Sequence, residues 1–548
     1  MAGGGATVTE GLDIAYGPAG CLPCPKVVKR NEADCAKGYK GLVREPYIFF
    51  LACFASVGGL LFGYDQGVIS GVIVMNNFAK QFPDLVNNPN LQGWMVSVLT
   101  LGAMFGALAN GPIADRLSRH WSLLLANIVF LVGSIIQAAA INVAMMFVGR
   151  FVAGLSIGML SMVVPLYLSE LAPPNIRGSL IALQQLGITV GIMVAFWLDY
   201  GTQHIGGTAA PAIPKVPSPG DCRWLCSREE EALSTLCRLR RVPTTDDRVK
   251  LELLEIKAAA IFDQETDTAG FSGTQPGFMR ALHQYQELFT VRHLSRRLLI
   301  AFMLQIIQQF TGISNYAPQI FRSIGLSGNS TDLLATGVVG VINFFSTIPA
   351  IMFLDRWGRR KVLMIGAVGM GVSQLIVGTL IAVYRNSWAE HRDAGWAAAV
   401  FIWIYISNFA FSIGCVNWIM PSEMFPPGVR AKAVGLAIGS NWLTNFIVAL
   451  ITPRMLRSIS FGTFYFFLAF CVILLVWVYF GVPETKGVRI EEMDKLFGGN
   501  QGEADMKRIA GIRERLGIVP PAPDSVSREK SRCANSKVDV VHCEYREE

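Results

Sequence analysis

The sequence predicts an all-α membrane protein made of two related helical halves. Three observations predict it. The composition is 52% hydrophobic and only 16% charged, with a mean hydropathy of +0.42 over 548 residues, whereas soluble domains carry about a quarter charged residues. Eleven continuous apolar windows follow one another, near 47–74, 94–113, 121–141, 145–168, 180–200, 298–323, 333–354, 361–384, 396–421, 432–452 and 459–481. Two short polar motifs each occur twice, in the same order, after corresponding windows.

A polar deficit of this size leaves much of the surface facing something other than water, which argues against an array of soluble domains. The net charge of +7 informs only through the placement of Lys and Arg around the windows. The 11 Cys are scattered, and no CxxC…CxxC or CxxC…HxxxH spacing occurs. Cys21 and Cys24 form a single CLPC, read as incidental thiols in a reducing compartment, and no metal site is expected. GxxxxGK[ST] does not occur, which argues against an ATP-driven pump. The first apolar run, Tyr47 to Met75, is too long and starts too late for a cleavable signal, so it reads as the first span.

Each window is long enough to cross a bilayer as a helix, which takes about 20 apolar residues. The spans are helical because lipid offers backbone polar groups no partner. Continuous runs rather than alternating ones exclude a β-barrel. Gly, Pro or other small residues appear in every window, as in packed spanning helices.

The charges set the topology. Arg116, Arg119 and His120 follow the second window, and Arg356, Arg359, Arg360 and Lys361 follow the seventh. Arg430 and Lys432 follow the ninth, and the stretch 223–297 is rich in both signs. The turn after the first window has Lys80 alone. The positive-inside rule then places both tails and the central stretch in the cytoplasm. The expected organisation is a tail over 1–45, a first bundle over 46–200, a polar segment over 201–297, a second bundle over 298–484 and a tail over 485–548. Five windows precede the central stretch and six follow it, so the count falls one crossing short of what the charges require. Gly201 to Trp224 would have to supply that crossing, and with four Pro it holds no adequate apolar run.

DRLSRH starts at Asp115 and DRWGRRK at Asp355; SELAPPNIRG starts at Ser169 and SEMFPPGVRA at Ser422. Two motifs in the same order at corresponding places indicate a duplicated bundle. These signatures resemble those of the major facilitator transporters, whose fold is two six-helix halves joined by a cytoplasmic stretch. Further segments resemble the sugar porter branch: GLLFGYDQGVISG from Gly59, GRFVAG from Gly149, QQLG from Gln184, QQFTG from Gln308 and PETKG from Pro483. The resemblance covers about 47–497, and within the branch it is nearest to fungal proton-coupled monosaccharide carriers.

Asp65 is an acid inside an apolar helix, an expensive placement. It reads either as a helix-end carboxylate reaching water or as a proton site with Arg150 as its partner, a pair that protonation releases. The resemblance favours the second reading, since an Asp at this place marks the proton-coupled members. It further implies sugar contacts at Gln185, Gln308, Gln309, Asn343 and Asn441, with Trp418 and Trp442 as aromatic contacts. Amides both donate and accept, which suits a hydroxyl; buried Gln and Asn also bridge helices. Asp115, Arg116, Glu170 and Arg177 in one half, and Asp355, Arg356, Arg359, Glu423 and Arg430 in the other, are expected to gate the cytoplasmic ends. Some of these Arg also fix topology.

Ser118 stands where the family prefers Gly, and His120 where it prefers a basic residue. Two departures are larger. PSPGDCRWL from Pro217 stands where the family has PESPRWL after a sixth helix. QQFTGISNYAPQIF puts Ser314 at an expected Asn and runs about three residues short, which turns a helix by about 300° and shortens it by about 4.5 Å. Both gaps suggest a mispredicted or incompletely spliced reading frame. Helical periodicity is expected over 228–241 and 247–262, a short helix near 503–516, and a glycosylation sequon at Asn329 in an outside turn. The reading is a monomeric proton-coupled hexose carrier of the cell membrane, working by alternating access. Sugar, proton and bilayer are its partners, with no cofactor, no nucleic acid and no covalent chemistry. A non-transporting sugar sensor and an inactive product of the gapped frame are the rival readings.

Overall fold

The computed structural model describes residues 46–72, 88–172, 176–202, 277–312, 329–385 and 390–486, with isolated positions between and beyond them. Nearly all of Gly201 to Trp224, the helical stretch expected over 228–241 and the position of Ser314 lie outside the described residues. So do most positions of the stretches expected over 247–262 and 503–516.

Apolar runs fold as helices throughout. The first half holds α1 (Pro46–Ala55), α2 (Val57–Val72), α3 (Pro89–Leu117), α4 (Arg119–Ala138), α5 (Val143–Leu171) and α6 (Arg177–Thr202). The second holds α7 (Gly277–Thr290), α8 (Arg292–Phe310), α9 (Asn329–Trp357), α10 (Arg359–Tyr384), α11 (Arg392–Phe411), α12 (Ile413–Met424), α13 (Pro427–Ser458) and α14 (Gly462–Gly481). Short polar residues start several of them. Asn88 accepts from the Asn90 amide at 3.0 Å ahead of α3, and Asn142 from the Met145 amide at 2.8 Å ahead of α5, satisfying amides that have no intrahelical partner. Asn329 opens α9, so the sequon occupies the first turn of a helix rather than the turn before it.

Among the described residues, ten helical stretches are long and apolar enough to span a membrane. The helix of the sixth window, α8, is not one of them; it carries Arg296, Arg297, Gln305, Gln308 and Gln309. Two spans are interrupted. Ser56 separates α1 from α2 and turns its hydroxyl to the Ala52 carbonyl at 2.7 Å. Ser412 separates α11 from α12, with its hydroxyl on the Asn408 carbonyl at 2.6 Å.

Glycine sets how closely the helices approach. Gly102 and Gly106 of α3 lie against the backbone of Phe151 and Leu155 in α5, and Gly154 and Gly158 of α5 against Leu99 and Ala103 in α3. Gly63 of α2 lies against the Ile188 carbonyl and Gly191 of α6 against the Leu60 carbonyl. In lipid, such small-residue faces drive association because backbones approach within van der Waals range.

The halves meet along two helix pairs, α3 on α13 and α6 on α9. The repeated motifs make α3 equivalent to α9 and α6 equivalent to α13. The two interfaces are therefore one contact made twice, as a pseudo-two-fold axis requires. Gly111, Gly435 and Gly439 thin the α3–α13 seam, and Gly340 packs on Met193 and Phe196 across the α6–α9 seam.

Candidate transport site

Residues of both halves converge at mid-span. On α8, Gln305, Gln308 and Gln309 sit at the three- and four-residue spacings that share one helix face. Asn417 and Trp418 come from α12, Asn441 and Trp442 from α13, and Gln185 from α6. Asn441 Nδ2 donates to Gln308 Oε1 at 2.8 Å, and Gln309 Nε2 donates to Asn441 Oδ1 at 3.0 Å. Asn417 Nδ2 donates to Gln305 Oε1 at 2.5 Å and also to Gln308 Oε1. The indole of Trp418 donates to Gln185 Oε1 across the halves at 3.0 Å. The Trp442 indole likewise reaches Ser161 Oγ on α5 at 3.0 Å.

Phe62 of α2 closes the aromatic wall, edge-on to Trp442 at 5.0 Å and to Trp418 at 6.3 Å between ring centroids. Both indoles are buried. Asn343 of α9 is buried with its Oδ1 unpartnered among the described residues, and no hydrogen bond joins it to the amide cluster. The structure thus brings six of the seven expected sugar contacts into hydrogen-bonded or ring contact with one another or with their neighbours. It adds Gln305, Asn417, Ser161 and Phe62 to them.

Asp65 sits on α2 with Oδ2 sealed from solvent and unpartnered among the described residues. Gln137 of α4 gives its carboxyl a hydrogen bond, and Arg150 of α5 acts on it electrostatically. Arg150 is buried and donates to the Met95 carbonyl at 2.7 Å. A second carboxyl at span depth, Asp199 of α6, is buried and acts electrostatically on Tyr64, the neighbour of Asp65. The rule that singles out Asp65, an acid in an apolar window, applies equally to Asp199.

At the end that the charge rule assigns to the cytoplasm, the repeat is visible in side chains. Arg119 pairs with Asp115 at 3.2 Å and with Glu170 at 3.0 Å; Arg359 pairs with Asp355 at 3.0 Å and with Glu423 at 2.8 Å. Each acid of the DR motif also crosses to the other half. Asp115 takes Lys432 at 2.6 Å, and Asp355 takes the Ser179 amide at 3.0 Å and its hydroxyl at 2.6 Å. Aligning SELAPPNIRG with SEMFPPGVRA puts Ser179 opposite Lys432, so the two latches are equivalent in place and unlike in charge.

Arg116 and Arg356 lie exposed at the ends of their helices. Arg177 acts electrostatically on Glu423 across the halves, and Arg430 donates to the Phe425 carbonyl at 3.0 Å. Glu484 accepts from the Arg359 and Arg360 amides at 2.9 and 3.1 Å, capping α10, while the Thr485 hydroxyl reaches Glu423 at 3.3 Å. Tyr285 of α7 lies under the α3–α13 seam beside Gly111, where burial and then the Asp115 charge push its phenol up to about 12. Sequence reading took Arg119 and Lys432 only as charges that set topology and missed them, with Ser179 and Glu484, as parts of this network. Arg119 was recoverable, since it aligns with Arg359.

Two like bundles that touch along two equivalent seams, with amides and indoles enclosed between them at bilayer depth, make a membrane carrier of the major facilitator fold. A family model described as "Sugar (and other) transporter" matches residues 51–497, and the chain belongs to that family. It is 34% identical over 485 residues to a probable quinate permease of Aspergillus niger, covering 82% of this chain and 88% of the relative. It is 33% identical over 508 residues to the major facilitator-type transporter ecdD of Aspergillus rugulosus, covering 86% and 89%. Among solved structures, the proton:xylose symporter XylE bound to 6-bromo-6-deoxy-D-glucose matches with a TM-score of 0.66 at 25% identity, covering 82% of this chain and 99% of that one. The inward-open form of XylE from E. coli matches with a TM-score of 0.55 at 27% identity, covering 82% and 99%.

Proposed function

We propose that the chain is a proton-coupled carrier that moves a monosaccharide, a hexose, across the cell membrane by alternating access, with both tails cytoplasmic. The observation that carries this reading is the amide cluster of Gln308, Gln309 and Asn441 beside the Trp418–Gln185 pair. Neutral amides pair with sugar hydroxyls in either sense, and an indole face covers the apolar face of a pyranose.

The cycle follows from the groups in place. With the cytoplasmic latches shut, a sugar enters from outside and takes the free amide positions. Proton binding at Asp65 cancels the charge that faces Arg150, which changes the relative energy of the two arrangements of the halves. The bundles then rock about the α3–α13 and α6–α9 seams, and the Asp115–Lys432 and Asp355–Ser179 contacts part. Sugar and proton leave on the cytoplasmic side, and Asp65 recovers its charge.

A second reading, quinate as cargo, is favoured by the naming of curated relatives as quinate permeases. Quinate is also a polyhydroxylated ring, and amide N–H groups can hold its carboxylate. Uptake of labelled glucose and labelled quinate by cells that lack their own carriers separates the two. The proposal expects saturable glucose uptake that an uncoupler abolishes. Quinate uptake without glucose uptake would replace the cargo; neither would refute the function.

A further inference from the structure

Whether an amide offers a substrate its N–H or its C=O depends on what holds its other end, and here main-chain groups decide. A backbone carbonyl can only accept. Gln305 Nε2 donates to the Asn417 carbonyl at 3.1 Å, so Gln305 turns its Oε1 to the Asn417 side chain. Asn417 must therefore present Nδ2, and the same Nδ2 reaches Gln308 Oε1. Independently, Asn441 Nδ2 lies 3.4 Å from the Gln305 carbonyl, which fixes Asn441 with its nitrogen toward α8 and onto Gln308 Oε1. Both acceptor positions of Gln308 Oε1 are then occupied, and only Nε2 remains to offer. Gln309 gives one N–H to Asn441 Oδ1, which leaves its Oε1 and its second N–H to offer. Gln185 turns its Oε1 to the Trp418 indole, which can only donate, and keeps one acceptor position on that oxygen beside its N–H groups.

Asn417 itself is 1% exposed, and its Oδ1 is buried with no partner among the described residues. A side chain that leaves its own oxygen unsatisfied is held by its donor contacts rather than by its own hydrogen-bonding balance.

We infer that Asn417, braced by Gln305, is a positioning residue that fixes the hydrogen-bond polarity of the transport site at Gln308: with both acceptor positions of its Oε1 taken, Gln308 meets the substrate as a donor. The inference rests on the proposal that these glutamines contact a sugar. It assigns a selectivity for an oxygen that accepts, at the ring position facing Gln308, that an amide free to flip would not have.

The test competes labelled glucose uptake with glucose analogues in which each hydroxyl in turn is removed or replaced by fluorine. Fluorine accepts weakly and cannot donate. In the wild-type carrier, removal of the hydroxyl facing Gln308 is expected to weaken apparent affinity about tenfold, equivalent to about 1.4 kcal/mol. The matching fluoro analogue is expected to stay within about threefold, because the position is read by a donor. In Asn417→Ala one of the two donors to Gln308 Oε1 is lost, so that oxygen can again accept from a substrate hydroxyl, and the two analogues should converge to within about twofold. Gln305→Leu removes the brace from the other side and predicts the same convergence.

Equal losses for the deoxy and fluoro analogues at every position of the wild type overturn the inference without any variant. Either variant overturns it by retaining the wild-type ratio. A wild-type chain that takes up no glucose at all refutes the proposed cargo, and the inference with it; labelled glucose without competitor reads that case separately.

Discussion

Ser118 and Gly358 occupy equivalent positions between the second and third spans of their halves, and the backbone treats them alike: φ 85°, ψ 158° for Ser118 and φ 88°, ψ 158° for Gly358. That region is nearly exclusive to glycine, and a side chain there costs of order 1–3 kcal/mol. At Gly358 a Cβ would also strike the Glu484 carboxylate that caps α10. The departure seen in DRLSRH is thus a strained residue. Ser118→Gly is expected to raise the apparent melting temperature of the detergent-purified carrier, the released strain outweighing the roughly 0.5–1 kcal/mol that glycine adds to unfolded-chain entropy. A lower melting temperature would contradict the assignment of strain. Sequence alone marked Ser118 as unusual, but only the backbone shows that the chain bends there as it does at Gly358.

At the scale of elements, two devices hold the halves: glycine faces within each bundle and latches between them. A side chain at Gly158 would collide with the Ala103 carbonyl in α3, and neither helix can retreat without opening the bundle, since interiors are close-packed. Gly158→Leu is expected to abolish the monodisperse peak in fluorescence-detected size-exclusion chromatography, whereas Leu at the lipid-facing Val148, 56% exposed, leaves it intact. A monodisperse Gly158→Leu protein would contradict the packing account.

The latches are unequal, an ion pair at Asp115–Lys432 and a hydroxyl and amide contact at Asp355–Ser179. Removing the Lys432 charge costs the closed end about 1 kcal/mol, roughly a fivefold shift in population. Spin labels at Leu117 and Gly428, both exposed at this end, should gain a longer-distance component in Lys432→Ala. An unchanged distance distribution would mean that Lys432 does not hold the gate.

On the scale of the whole molecule, much of the architecture is legible in the sequence because lipid enforces it. Each apolar window marks a helix, although some helices run past their windows, as 94–113 becomes Pro89–Leu117 and 432–452 becomes Pro427–Ser458, and others stop short, as 121–141 becomes Arg119–Ala138. Hydropathy sees only the part in lipid, whereas helix ends carry the polar motifs. The interruptions at Ser56 and Ser412 are invisible to it, since both flanks are apolar. The repeat predicts which seams exist, and it assigns equivalent places to Asp115 and Asp355.

It does not predict which partners these acids take, because Ser179 and Lys432 have diverged at one aligned position. In the transport site the resemblance points to the glutamines and tryptophans. Asn417 and Gln305 escape it because their role is set by main-chain carbonyls that no motif encodes.

The proposed function requires that proton binding at Asp65 drive sugar accumulation. The direct measurement uses proteoliposomes with an imposed inward proton gradient, comparing wild type with Asp65→Asn. Wild type is expected to concentrate labelled glucose until the gradient is collapsed. Asp65→Asn should accumulate none, yet still exchange labelled for unlabelled sugar at equal concentrations on both sides. Accumulation by Asp65→Asn equal to wild type, and unaffected by collapsing the gradient, would contradict it.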